Sequence, residues 1–159
     1  MTITLKNIID EDFVNYKKPT MVICFPKCNF KCCKECGFDI CQNSELSKMP
    51  NIEINIHTIV ERYLNNNITS AIVCSGLEPF DSWKDLILTI KNFRDKTNDD
   101  IVIYTGYKEE ELKDKITELS KFNNIIVKFG RFVPNQKSHL DNTLGIMLAS
   151  DNQFALRIS

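Results

Sequence analysis

Six of the seven cysteines, Cys24, Cys28, Cys32, Cys33, Cys36 and Cys41, fall within eighteen consecutive residues. Thiolates held so close in sequence can converge on one soft metal centre. A disulfide framework is the other use of dense cysteines, but it belongs to short secreted chains, spreads its cysteines across the fold and does not persist in a reducing compartment. Two metal readings then compete. A structural zinc site wants four N or S ligands, commonly as two CxxC knuckles, and leaves no open position. Here only Cys33 and Cys36 form a CxxC pair, and neither His57 nor His139 lies nearby. An iron–sulfur cluster held by three cysteines instead leaves one iron open to a substrate, which is a chemical capability rather than a clamp. A zinc-stabilised binding module without catalysis stands as the alternative from another class.

Downstream, two further segments carry residue types suited to ligand binding. Ser75-Gly76-Leu77-Glu78-Pro79-Phe80 follows an apolar run; its glycine permits close backbone approach and its carboxylate suits an ammonium group. Tyr104-Thr105-Gly106-Tyr107 again ends an apolar run and precedes a helical pattern. Near the C-terminus stand Gly130-Arg131-Phe132 and Ser150-Asp151-Asn152-Gln153. Each of these, taken singly, reads as a loop with a structural role.

Cys28-x3-Cys32, followed by Ile40-Cys41-Gln42-Asn43, resembles the CxxxCxxC loop of radical S-adenosylmethionine enzymes, with Cys32 and Cys41 separated by eight residues instead of two. The insertion makes Cys36 a rival third ligand. Ser75 to Phe80 resembles that family's Gly-Gly-Glu-Pro motif with Leu77 at the second glycine. Tyr104 to Tyr107, Gly130 to Phe132 and Ser150 to Gln153 are similar, in order, to segments of the activating enzymes of anaerobic ribonucleotide reductase. The resemblance runs from about Met21 to Gln153. It implies a [4Fe-4S] cluster on Cys28, Cys32 and Cys41, with Cys36 as the alternative third ligand. Gly76, Glu78, Thr105 and Gly106, with Ser75 and Asn43, are then expected around S-adenosylmethionine. It further implies an oxidoreductase that takes an electron from a flavodoxin-type donor and places a glycyl radical on anaerobic ribonucleoside-triphosphate reductase. No catalytic side chain is nominated, because the cofactor carries the chemistry. Activation of another glycyl radical enzyme, such as a formate lyase, or modification of a small molecule are the alternatives within that chemistry. Cys24 reads as a core residue, and Cys33 and Cys36 could hold a second metal or simply fill the insertion.

The elements that must position these residues follow from periodicity. Thr2 to Leu5 reads as a short edge strand, and Met21 to Phe25 as a strand stopped by Pro26. The cysteine loop, residues 24–43, begins where that strand ends. Ile56, Ile59, Val60, Tyr63 and Leu64 recur at helical spacing; Ser70 to Cys74 is a buried strand; Asp81-Ser82-Trp83 opens a helix with Leu86, Ile87, Ile90 and Phe93 on its apolar face. Asp100 to Thr105 is a strand, Glu109 to Leu119 a helix and Asn124 to Phe129 a strand. This alternation predicts an α/β fold, a single domain over residues 1–159 with a mainly parallel sheet; about four βα units make it an open partial (β/α) barrel like that of the radical S-adenosylmethionine enzymes. Its site lies in the loops at the carboxyl ends of the strands.

Composition agrees with that picture. In 159 residues, 43% are hydrophobic, enough for one core, and 20 basic residues nearly cancel 21 acidic ones for a net charge of −1. That balance provides no field for a nucleic-acid backbone. No apolar run approaches the ~20 residues of a membrane span, and the N-terminus lacks the order of a signal peptide, so a cytoplasmic protein is expected.

Overall fold

A computed structural model describes residues 1–159. Strands β1 (Thr2–Leu5) and β2 (Asn7–Asp12) precede β3 (Thr20–Phe25), after which the cysteine loop forms two short helices, α1 (Lys31–Cys36) and α2 (Ser44–Lys48). Strand β4 (Ile52–Asn55) runs into α3 (Ile56–Leu64), whose first turn is capped by the Asn55 side chain accepting from His57 N at 3.0 Å. Then β5 (Ala71–Gly76), α4 (Trp83–Arg94), β6 (Asp100–Tyr104), α5 (Lys113–Leu119) and β7 (Ile125–Phe129) alternate, and β8 (His139–Asp141), β9 (Ile146–Leu148) and β10 (Phe154–Arg157) follow.

The main sheet has the order β10-β7-β6-β5-β3-β2. Its four inner strands are parallel, and both edges are antiparallel. The expected α/β class with a mainly parallel sheet is therefore present. The sheet is open, with β2 and β10 at opposite edges. Each parallel strand lies beside its predecessor in the chain, so right-handed crossovers carry α3, α4 and α5 to the same face. Met21, Ile23 and Phe25 of β3 pack on that face with Ile59 and Tyr63 of α3 and Ile90 and Phe93 of α4. The alternate residues Val22 and Cys24 point the other way, as period-two strand geometry requires. There they join Val73, Val102, Ile126 and, from the edge strand β10, Ala155, beneath Tyr16, Leu144 and Leu148. Helices cover one face and the C-terminal hairpin β8–β9 covers the other.

Three expectations need correction. β1 does not edge the main sheet; it pairs with β4 in a separate two-stranded sheet. After β7 no further helix follows, so four parallel strands are linked by three crossover helices, and the chain turns back to lay β10 against β7. The segment from Glu109 to Leu119 is not one helix: Glu109–Glu111 is a 3-10 turn, and Leu112 (φ −120°) separates it from α5. The Glu111 side chain folds back to accept from Lys108 N at 2.7 Å and pairs with Arg131, so it serves the neighbouring loops while buried Leu112 turns inward.

Candidate functional site: a thiol-lined cleft at the strand ends

The carboxyl ends of β3, β5, β6 and β7 share one rim of the sheet, and a cleft of about 150 Å³, open to solvent, lies there. Cys28, Cys32, Cys41, Asn43, Ser75, Gly76, Glu78, Thr105 and Gly106 all line it. Cys36 does not.

Gly76 shows why the rim accepts only certain residues. Its φ is +97°, and a Cβ there would stand 2.6 Å from Phe25 N and 2.7 Å from Cys24 Cα. Glycine is thus required by backbone conformation and by the close approach of β3. Leu77, at the motif's second glycine position, has no positive φ and carries no such strain. Asn43 donates from Nδ2 to Gly76 O at 2.8 Å, tying the end of the cysteine loop to β5.

Glu78 is 5% exposed and joins two strand ends. Its Oε1 accepts from Phe80 N (3.1 Å) and Thr105 Oγ1 (2.9 Å), and its Oε2 accepts from Gly106 N (2.9 Å). Burial pushes its carboxyl up to about 7, although these three donors pull the other way. The carboxylate therefore organises the rim as well as facing the cleft.

The cysteine loop is built around α1, which starts after Phe30 in a left-handed conformation (φ 55°) and ends at Gly37 (φ 77°), whose N–H donates to Cys33 O at 2.9 Å. This turn of helix accounts for much of the insertion. Cys32 lies in its first turn, and Cys36 sits four residues further on, about 6 Å along the axis. Burial pushes the Cys28 and Cys32 thiols up to about 11 and raises that of Cys41. A metal centre held by these thiols would have to displace their protons. No three Cys, His, Asp or Glu side chains stand close enough to share a single ion, as a tetrahedral zinc site demands. A cubane asks for something else: each cysteine binds a different iron, so soft donors spaced around a cavity suit it. The donor set fits an iron–sulfur cluster. Cys24 is a buried strand residue, as expected, and Cys33, which does not line the cleft, adjoins the Cys32 thiol with its Sγ 3.5 Å from Asp39 Oδ1.

A network fastens this loop over the rim. Asn29 donates to Tyr107 Oη (3.1 Å), which donates to Asp81 (2.6 Å); Lys31 and Arg131 both meet Glu111 (3.3 and 2.8 Å), and Arg131 also meets Glu35 (3.2 Å). The terminal motifs are mutual supports. Gln153 donates to Gly130 O at 3.3 Å, and Asn152 donates to Arg131 O at 2.8 Å. Sequence reasoning missed Lys128, a buried lysine at the end of β7 that lines the cleft. The signal was a single cation within the apolar run Ile125 to Phe129.

A family model described as a 4Fe-4S single cluster domain matches residues 20–154, from the first residue of β3 to the first of β10. No curated protein and no solved structure matches the chain. No helix is long and apolar enough to cross a membrane. Because the family match takes in the parallel sheet, the cysteine loop and every residue lining the cleft, the chain belongs to the 4Fe-4S single cluster domain family of iron–sulfur proteins.

Proposed function

We propose that the chain is a radical S-adenosylmethionine enzyme that places a glycyl radical on anaerobic ribonucleoside-triphosphate reductase. One observation carries this reading: the thiols of Cys28, Cys32 and Cys41 line the same cleft as the strand-end residues Ser75, Gly76, Glu78, Thr105 and Gly106. A closed electron-transfer site needs no such ligand cavity beside its cysteines. A cluster held by these three cysteines would supply one electron and an open iron for the reductive cleavage of S-adenosylmethionine to methionine and a 5'-deoxyadenosyl radical. Cys41 is the third ligand on this reading, since Cys36 lies outside the cleft.

The chain's own residues bind and orient the substrate. Glu78 Oε2 accepts only Gly106 N, leaving acceptor capacity for the substrate ammonium. Gly76, without a side chain, admits that group to the strand end. The radical takes a hydrogen atom from the partner's glycine, giving 5'-deoxyadenosine and the glycyl radical, so the transfer needs no side-chain acid or base. The partner loop enters on the open side that a partial (β/α) barrel of four parallel strands leaves, and a flavodoxin-type protein in the reducing cytosol supplies the electron.

Anaerobic reconstitution is expected to give a brown protein with about four irons. Mixed with a reductant, S-adenosylmethionine and the reductase, it should give a glycyl radical signal by electron paramagnetic resonance. A brown protein that cleaves S-adenosylmethionine but gives no signal, beside a competent control activase, overturns the partner alone. A brown protein that leaves S-adenosylmethionine intact overturns the radical reading.

A further inference from the structure

Helix α1 carries Cys32, yet little in its own sequence holds it in place. It has six residues, none of them buried, and Phe30, which precedes it in a left-handed conformation, gives it no side-chain cap. A helix that short is not stable alone, so the position of its cysteine depends on how its ends are fastened. At the first end the fastening is a closed ring of groups from three chain segments. Asp81 Oδ2 accepts from Asn29 N at 3.1 Å, Asp81 Oδ1 accepts from Tyr107 Oη at 2.6 Å, and Tyr107 Oη accepts from Asn29 Nδ2 at 3.1 Å. Asn29 Oδ1 in turn accepts from Lys31 N at 3.2 Å, which satisfies the first N–H of α1. Lys31 closes over the same tyrosine, with its Nζ 4.4 Å from the ring centroid.

Asp81 does not line the cleft, so its contribution passes through Asn29 and Tyr107 rather than to a ligand. Asn29 lies between Cys28 and Cys32, and fixing its backbone fixes the chain that joins those two thiols. The field of the Asp81 carboxylate also reaches the Cys28 thiol, where it disfavours added negative charge. An electron entering a cluster bound there meets the same opposition, since nearby charge is one of the levers on a cluster's potential. We infer that Asp81 is the positioning residue of the cysteine loop, anchoring Asn29 between Cys28 and Cys32 and holding down the reduction potential of a cluster bound by those thiols. This rests on an iron–sulfur cluster at Cys28 and Cys32 and not on the cleavage of S-adenosylmethionine.

The test therefore uses the reconstituted protein without S-adenosylmethionine. Reduction potential, followed by electron paramagnetic resonance, and the rate at which a chelator strips iron are measured for the native chain and three variants, beside the melting temperature of each iron-free protein. Asp81→Ala removes the anchor and should lose iron roughly ten- to hundredfold faster, the weight of a charge-assisted hydrogen bond. Asp81→Asn keeps an oxygen for Asn29 N and removes the charge, so it is expected to restore iron retention while the potential rises. Tyr107→Phe opens the ring but leaves Asp81 on Asn29, and should lose iron at a rate between those of the native protein and Asp81→Ala. A native potential in Asp81→Asn, or native iron retention in Asp81→Ala, overturns the inference. A lower melting temperature with both cluster readouts unmoved makes Asp81 merely structural and overturns it equally. If Asp81→Ala does not fold, Asp81→Asn and Tyr107→Phe decide by the same two readouts. A native protein that takes up no iron overturns the cluster and this inference together, whereas a brown native protein that leaves S-adenosylmethionine intact overturns the radical reading alone.

Discussion

Glu78 does two jobs with one carboxyl group, and its titration separates them. Its acid form is favoured in the folded protein, where burial lifts the pKa from 4.5 to about 7. A raised pKa means that this contribution to stability is complete below the unfolded value and is lost as pH rises through the folded one. Thermal stability without ligand should therefore fall between about pH 4.5 and pH 7, by an amount on the order of 3 kcal/mol for this group. Glu78→Gln should flatten that slope when melting temperature is followed against pH, and an unchanged slope would assign it to other groups. Gly76 is a steric counterpart. Placing alanine there forces a Cβ to within 2.6 Å of Phe25 N at a φ of +97°, and the cost should be about 3 kcal/mol or more. Chemical denaturation should show Gly76→Ala as a clear drop in midpoint; a change below about 1 kcal/mol would mean that β3 and β5 separate easily.

At the scale of elements, the cysteine loop is governed by α1. The radical S-adenosylmethionine loop that the sequence resembles has two residues between its second and third cysteines, and here a helical turn occupies part of the inserted length and carries Cys36 outside the cleft. Cys41 returns to the cleft because Asn43, two residues on, is fastened to Gly76 O. Cys41→Ala is expected to abolish both the brown colour and S-adenosylmethionine cleavage, whereas Cys36→Ala should keep both. Iron content and visible absorbance of the two variants check this, and the reverse pattern would make Cys36 the ligand. The cysteines, both motif glycines and the motif glutamate were legible in the sequence because the cysteines cluster and the others fall in short motifs directly after apolar runs. For the third ligand the flanking Ile40 and Gln42-Asn43 favoured Cys41 over Cys36, but spacing cannot say whether an insertion coils into a helix, and that decides which of the two lines the cleft. The break at Leu112 escaped notice for a related reason: Glu109 to Leu119 has helical composition, but Glu111 is drawn into ion pairs with Lys31 and Arg131 from two other loops.

Across the whole molecule, the sheet has one face covered by crossover helices and one by the returning C-terminal segment. Val22, Val73, Val102 and Ile126 are almost wholly buried under Leu144 and Leu148 and beside Ala155 of the edge strand, and each such side chain contributes roughly 1.5–3 kcal/mol when buried. A chain ending at Phe132 should therefore expose a continuous apolar face and be recovered as aggregate. A soluble, cooperatively melting fragment would show that the hairpin is dispensable. That cover was illegible in the sequence because β8, β9 and β10 are three or four residues long and half exposed, too short for a period to declare itself. Lys128 escaped for the opposite reason. In a strand of alternating faces a lone lysine reads as solvent-facing, and burial depends on what packs over the sheet. Sequence alone determined the parallel α/β order and the gathering of thiols, because hydrophobic period and cysteine density are local properties. Which thiols share a cleft, which glycine meets a neighbouring strand and which lysine is buried beside the cleft were decided by tertiary structure, since each depends on chain segments that are distant in sequence and meet only when the sheet is assembled.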